Sequence, residues 1–386
     1  MAAPGTAPIS IVLESVKGSN TAATDSLLTA MLRSHEQVSD LIFSPGRLPQ
    51  VEIYGRLIAV QGPGLSPLNA DDTRRIASDL IGNNKSAIAT LREQGSCDIS
   101  FALPGLARFR VNVFIQRGSC AVVMRVIPTT VPDLASLGLP KQLAEVAALR
   151  DGIVLVTGPR GSGKSSTLAA LLDLINREQV CHIITIEDPI EFLHNHKRAT
   201  IHQRELHSDT PSVSLALRAA LRQAPDVIFV SELRDRETTE MALEAAETGH
   251  LVLSSLNTLD VAQTWERITG LFPVPEQPGI RSRLAKAARY IVSQRLLPRR
   301  DGGQRVPALE ILKVSPGSMD LTESTGFSGQ AVLQTLKNGS SEGMQHFDGE
   351  IEKLVRANIV DLKTAMTYAT DPQQLRQALL DFRLQN

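Results

Sequence analysis

The chain has 386 residues, enough for two or three domains that each bury a core of ordinary size, and two is the expected number. Its 40 Lys and Arg against 41 Asp and Glu leave a net charge of −1, which excludes bulk electrostatic attraction to nucleic acid or an anionic membrane. Cys97, Cys120 and Cys181 are odd in number and far apart, which argues against a disulfide framework or a structural zinc site and for a reducing cytoplasm.

Residues 1–20 hold one short apolar patch, Ile9–Leu13, with neither a basic leader nor a membrane-length run, and read as a flexible lead-in to a soluble protein. A helix is predicted from Ser26 to about His35, capped by Thr24 or Asp25. The next stretch, DLIFSPGRLPQVEIYGRLIAV, reads as a hairpin broken at Pro45-Gly46 and Gly55. A second helix is predicted over Ala70 to Ile81. Then Phe109, Val111, Val113 and Ile115 alternate with Arg110, Asn112, Phe114 and Gln116, the period of a half-buried strand, which turns at Arg117-Gly118 into another. Residues 21–128 are thus expected to form a small α+β domain on an antiparallel sheet. Residues 129–140, with Pro132 and Pro140, read as a linker.

From 141 to 386 the pattern is α/β. Continuous apolar runs, GIVLVTG, CHIITIED, DVIFVSE and HLVLSSL, alternate with helical segments, as in a parallel sheet covered on both faces. Beyond Pro298 strand signals are lost, and helical patterns return from about Phe347.

The first of those runs opens into Gly158, Pro159, Arg160, Gly161, Ser162, Gly163, Lys164, Ser165 and Ser166, which satisfies G-x-x-x-x-G-K-[ST] between a predicted strand and a predicted helix. Glycines there let backbone N–H groups turn around phosphates, Lys164 reaches the β and γ phosphates, and Ser165 ligates Mg²⁺. ATP or GTP is the expected ligand. Glu232 ends the apolar strand of PDVIFVSELRD and is a candidate for holding Mg²⁺ or its water, or for orienting the attacking water. Glu187, Asp188 and Glu191 in TIEDPIEF form a second acidic cluster, placed to polarise the nucleophile. His194, His196, His202 and His207 follow no helical metal-pair spacing, so a metal site there is not expected.

Together these segments resemble the secretion and pilus-motor ATPases, and among them the PilT-like pilus retraction ATPases, over roughly residues 24–300 and, more faintly, 340–382. TIEDPIEF is similar to that family's aspartate box, PDVIFVSELRDRET to its Walker B segment and AAETGHLVLSSLNTLDVAQTWERI to its histidine box. The resemblance implies a homo-hexamer of chains, each with a PAS-like N-terminal domain and a RecA-like ATPase domain, binding ATP and Mg²⁺ at subunit interfaces. It further implies that Glu187 activates water, that Glu232 is the Walker B acid on the metal, and that His250 senses the γ phosphate or links neighbouring sites. Arg108, Arg110 and Arg117 match the arginines that such small domains bring to the phosphates, with Arg125 a weaker match. The expected setting is cytoplasmic and peripheral to the inner membrane. The expected partners are a pilus platform protein and a paralogous pilus ATPase.

The sequence departs from the family at four places. Asn257 stands where the histidine box has its second histidine, Ser231 where glycine precedes the Walker B glutamate, and Ile42 where the small domain has histidine. The retraction-associated AIRNLIRE-like helix is absent from SMDLTESTGFSGQAVLQTLK. A retraction motor, a secretion or assembly ATPase, and an accessory ring with weak turnover therefore all remain open at this level.

Overall fold

The computed structural model describes residues 8–11, 20–128, 130–314 and 329–385. Met1–Thr129 with Glu191–Leu193 form one compact unit, and Thr130–Ile190 with His194–Asn386 form the other.

The first unit is built on seven strands: β1 (Ile9–Ser10), β2 (Val38–Phe43), β3 (Gln50–Ile53), β4 (Arg56–Gln61), β5 (Ser96–Leu103), β6 (Ala107–Gln116) and β7 (Ser119–Ile127). Their order is β1-β4-β3-β2-β7-β6-β5, antiparallel throughout except that β1 joins β4 in parallel. Helices α1 (Asn20–Arg33), α2 (Ala70–Ile81) and α3 (Lys85–Gln94) complete it. Leu28, Met31, Ile76 and Leu80 from α1 and α2 share a core with Phe43, Phe109, Val111 and Met124 of the sheet. The start of α2 follows from NADD: the Asn69 Oδ1 accepts from the N–H groups of Asp71 and Asp72, while Asp72 Oδ2 accepts from the Asn69 N–H, a reciprocal cap.

Four expectations change here. The lead-in is not loose at Ile9–Ile11, because the apolar patch adds a short strand to the sheet edge, and the Ile11 N–H donates to the Gln61 carbonyl at 2.7 Å; residues 1–7 and 12–19 lie outside the described residues. Helix α1 already includes Asn20, so Thr24 and Asp25 lie inside it and neither caps it; the Thr24 hydroxyl donates instead to Asp79 Oδ2 at 2.6 Å. Breaks at both Pro45-Gly46 and Gly55 divide the predicted hairpin into the three-stranded meander β2-β3-β4. The alternation in β6 holds through Val113, but Ile115 is exposed.

The second unit carries β8 (Gly152–Thr157), β9 (His182–Glu187), β10 (Thr200–Glu205), β11 (Val227–Val230), β12 (Leu251–Leu256), β13 (Ala288–Leu297) and β14 (Val306–Lys313), in the order β10-β9-β11-β12-β8-β13-β14. All neighbours are parallel except β13 and β14. Helices α4 (Lys164–Glu178), α5 (Val213–Ala220), α6 (Arg236–Glu247), α7 (Val261–Thr269) and α8 (Gln277–Ala287) cover the sheet. Alternate residues of one strand serve two cores: Ile153 and Leu155 pack with Leu217, Leu243 and Trp265, while Val154 and Val156 pack with Leu168, Leu171 and Ile175. That division explains why these strands read as unbroken apolar runs. Each such side chain taken from water contributes about 1.5–3 kcal/mol before entropy is counted.

In the region predicted to lack strands beyond Pro298, Val306–Lys313 pairs along its whole length with β13. Its sequence, VPALEILK, mixes a proline with residues that favour helix, and β13 supplies the edge that decides its conformation. Helices follow at Gly329–Asn338, Phe347–Arg356, Leu362–Tyr368 and Pro372–Gln385. The segment 315–328, which includes most of the region compared with the AIRNLIRE-like helix, lies outside the described residues. Within 129–140, Leu139 is buried, and Leu134 and Leu137 pack against the core beside α4.

Candidate nucleotide site

In an open parallel sheet the strand ends leave a crevice at their carboxyl edge, and the chemistry-bearing residues of the second unit collect there. Strand β8 runs into the loop Gly158–Gly163 and then into α4. Gly158 has φ +143°, and a Cβ there would lie 2.4 Å from the Gln294 carbonyl oxygen; at Gly163, φ +91°, it would lie 2.7 Å from Gln294 Nε2. No other residue fits either position without displacing the loop. Gly163 is also the N-cap of α4 and offers no side chain to the first turn, which leaves the N–H groups and the positive end of the helix dipole to an anion. Lys164 Nζ donates to the carbonyls of Gly158 (2.8 Å) and Pro159 (3.1 Å), so its ammonium sits over the mouth of the loop. Pro159, Arg160 and Gly161 are exposed at the loop's outer rim or beside it, and Ser165 and Ser166 are half-buried in the first turn of α4. Ser162 is buried, and its Oγ has no hydrogen-bond partner among the described residues.

A cavity of about 380 Å³ adjoins the loop, bounded by Arg160 and Gly161 on one side and by Leu259, Arg295, Arg305 and Tyr368 on the other. Arg295 lies over the Phe347 ring, 3.7 Å from its centroid, and donates to the Tyr368 carbonyl at 2.6 Å.

Two carboxylates stand at neighbouring strand ends. Glu187 terminates β9 and is buried; its Oε1 accepts from the Thr185 hydroxyl at 2.7 Å and from the Gln203 amide at 2.9 Å. Glu232 follows β11. Its Oε2 accepts from Arg234 Nε at 2.9 Å and its Oε1 from Asn257 Nδ2 at 2.6 Å. Arg234 also donates to Asp188 Oδ2 at 3.2 Å, and these carboxylates hold its guanidinium above its usual pKa. The register β9-β11-β12-β8 sets Glu187, Glu232, Asn257 and Gly158 along one edge of the sheet.

His250 is not brought there within one chain. It precedes β12, whose Leu251 is in register with Gly152 and whose Leu256 is in register with Thr157, so it lies at the opposite edge, about 20 Å away along a six-residue strand. Its Nδ1 sits 3.0 Å from the Ala245 carbonyl and 3.3 Å from the Thr248 hydroxyl, which ties it to the end of α6. Arg108, Arg110 and Arg117 belong to the first unit. Arg110 is exposed 3.8 Å from Asp98, Arg117 occupies the β6–β7 turn at φ +47°, Arg108 lies half-buried two positions before Arg110, and Arg125 donates to Asp40 at 2.9 Å.

Of the clustered histidines, His202 meets His182 (Nδ1 to Nε2, 2.9 Å) at the start of β9, with the His196 ring beside it. His194 is buried, and burial holds its imidazole below the usual pKa against the partly opposing charge of Asp173. His207 takes a turn conformation at φ +68°. Among the described residues no group of three or more His, Cys, Asp or Glu side chains is arranged to hold a metal ion. The oxygens of Ser165 and Glu232 suit a hard divalent cation that draws its other ligands from phosphate and water.

Gln294 was not marked by any motif. It is buried on β13, accepts from the Thr167 hydroxyl at 2.8 Å and donates to the Ser162 carbonyl at 2.7 Å, and thereby joins the loop to α4. The signal in the sequence was a polar residue inside an apolar run, YIVSQRLL, next to the loop strand.

Residues 68–377 match the model of the type II/IV secretion system protein family. The chain is 40% identical over 327 residues to the twitching motility protein of Neisseria gonorrhoeae, covering 85% of this chain and 86% of that one. It is 39% identical over 335 residues to the type IV pilus retraction ATPase PilT of Pseudomonas aeruginosa, covering 87% and 95%. A crystal structure of the pilus retraction motor PilT with bound ADP superposes with a TM-score of 0.81 at 38% identity, over 92% of this chain and 98% of that one.

Proposed function

Because the chain belongs to the type II/IV secretion system protein family, we propose that it is a ring-forming ATPase whose ATP hydrolysis powers retraction of a type IV pilus. The observation that carries this reading is the meeting of Lys164, Ser165, Glu187 and Glu232 at one sheet edge, in a chain similar over most of its length to retraction proteins. Nucleotide binding follows from the loop, and ATP is the nucleotide proposed. The loop N–H groups and Lys164 grip the β and γ phosphates, and the cavity beside Arg295 and Tyr368 is wide enough for a nucleoside. Mg²⁺, held by Ser165 and Glu232, would neutralise charge on the transferring phosphoryl group. Glu187, oriented by Thr185 and Gln203, takes the proton of the attacking water. Arg108, Arg110 and Arg117 supply guanidinium groups to a neighbouring subunit in a homo-hexamer, which couples phosphate splitting to movement of one body against another.

Among the described residues no helix is long and apolar enough to cross a membrane. Attachment to the cytoplasmic side of an inner-membrane platform protein, and exchange with a paralogous pilus ATPase, complete the proposed setting. A deletion strain complemented by wild type or Glu232→Gln tests the whole reading. Excess surface pili with lost twitching, restored only by wild type, is the expected result. Bald cells would assign the chain to pilus assembly, and normal motility in the deletion would remove it from the retraction role.

A further inference from the structure

Glu232 is held from two sides by groups of different kind. Arg234 approaches Oε2 from the same loop and shares itself with Asp188, whereas Asn257 approaches Oε1 from the end of the adjacent strand β12. A carboxylate on a strand end keeps free rotation about its last torsions unless something fixes them. Arg234 alone does not fix Glu232, since its guanidinium is 60% exposed and is divided between two acids. Asn257 is exposed as well, but its amide has this one acceptor among the described residues and it directly follows β12, whose Ser254 and Ser255 hydroxyls tie the strand end to the carbonyls of Val230 and Ser231 at 2.6 and 2.5 Å. The two strand ends therefore move together.

We propose that Asn257 is the positioning residue of Glu232: its amide fixes the plane of the carboxylate at the end of β11. The inference rests on the reading of Glu232 as the residue that holds the metal or its water.

The test uses the full-length protein and follows phosphate release against ATP and Mg²⁺, together with Mg²⁺ binding measured by calorimetry. Asn257→Ala is expected to lower kcat about tenfold and to raise the Mg²⁺ concentration for half-maximal rate, with KM for ATP nearly unchanged, since the lost bond is one charge-assisted hydrogen bond to Glu232 alone. Calorimetry without turnover is expected to show Mg²⁺ binding to the ADP-loaded protein weakened several-fold in Asn257→Ala, with ADP affinity itself unchanged. Wild-type kcat and Mg²⁺ response in Asn257→Ala, or unchanged Mg²⁺ affinity by calorimetry, would overturn the proposal. Glu232→Gln, run beside them, separates the two layers. Undiminished turnover in that variant defeats the reading of Glu232 itself, while a slow Glu232→Gln beside a normal Asn257→Ala defeats only the role of Asn257.

Discussion

Gln294 and Ser162 are 132 residues apart in the chain and 2.7 Å apart in the fold, where the Gln294 amide donates to the Ser162 carbonyl from a strand beside the phosphate loop. The other end of the same amide accepts from Thr167 on α4. The loop conformation is therefore fixed from outside by one buried side chain. Gln294→Leu keeps the volume and strands both partners, so a loss of about 1–3 kcal/mol in folding stability is expected, with weaker ADP binding. Urea unfolding and titration calorimetry check the two effects, and unchanged values in both would show that the loop holds its shape unaided.

Lys164→Ala removes the ammonium at the loop mouth, where Lys164 reaches the Gly158 and Pro159 carbonyls. Nucleotide affinity is expected to fall below detection by calorimetry, while the fold, whose cores do not include Lys164, keeps its stability. Affinity equal to wild type would mean that the N–H groups of the loop suffice.

Glu232→Gln and Glu187→Gln separate two roles. Glu232→Gln keeps the hydrogen-bonding shape beside Asn257 but loses the charge, and is expected to retain ATP while slowing turnover by about a hundredfold or more. If it turns over at the wild-type rate, the task passes to Glu187, whose own variant then becomes the decisive one.

The parts of this site that were legible in the sequence are those whose chemistry is local. Gly158 to Ser165 stand in the strand-loop-helix context that the sequence predicts, because the glycine spacing and the flanking apolar periodicity lie within one short segment. The four apolar runs read as strands because both their faces are buried. Strand β10 escaped notice because it lies at the sheet edge and alternates, with Ile201 buried between the exposed Thr200 and His202. Strand β5 is likewise an edge strand with only Cys97 and Leu103 fully buried. Gln294 shows in the sequence only as a polar residue inside an apolar run; its partners are set by the pairing of β13 with β8, which no local pattern encodes. The distance of His250 from the loop has the same origin, since only strand direction decides which end of β12 faces the nucleotide.

Arg110 and Arg117 test whether the site is completed by a second chain. Neither contributes to the core of its own unit, so Arg110→Ala and Arg117→Ala should leave thermal unfolding within a degree or two of wild type while lowering cooperative ATP turnover. In mixed rings, a subunit carrying Lys164→Ala and one carrying Arg117→Ala should together recover part of the rate, because each supplies what the other lacks. Rates no higher than the average of the two parents would confine the arginines to their own chain.

Glu310 carries a prediction that runs opposite to most carboxylates. Burial on β14 pushes its pKa up from 4.5 to about 7; the Val261 N–H, donating to Oε1 at 2.9 Å, opposes that rise, Asp260 adds to it, Arg295 opposes it, and Asp348 adds to it. The folded state thus holds a proton that the unfolded chain has already released between those two values. Its stabilising contribution is complete below pH 4.5 and disappears as pH rises through about 7. Glu310→Gln keeps an acceptor for the Val261 N–H and cannot ionise. Its stability is expected to match wild type in acid and to exceed it by up to about 3 kcal/mol at pH 8, the equivalent of the displaced titration. Urea midpoints measured for both proteins from pH 5 to pH 8 decide the matter: a gap that widens with pH is the expected result, and parallel curves would mean that Glu310 remains ionised in the folded chain.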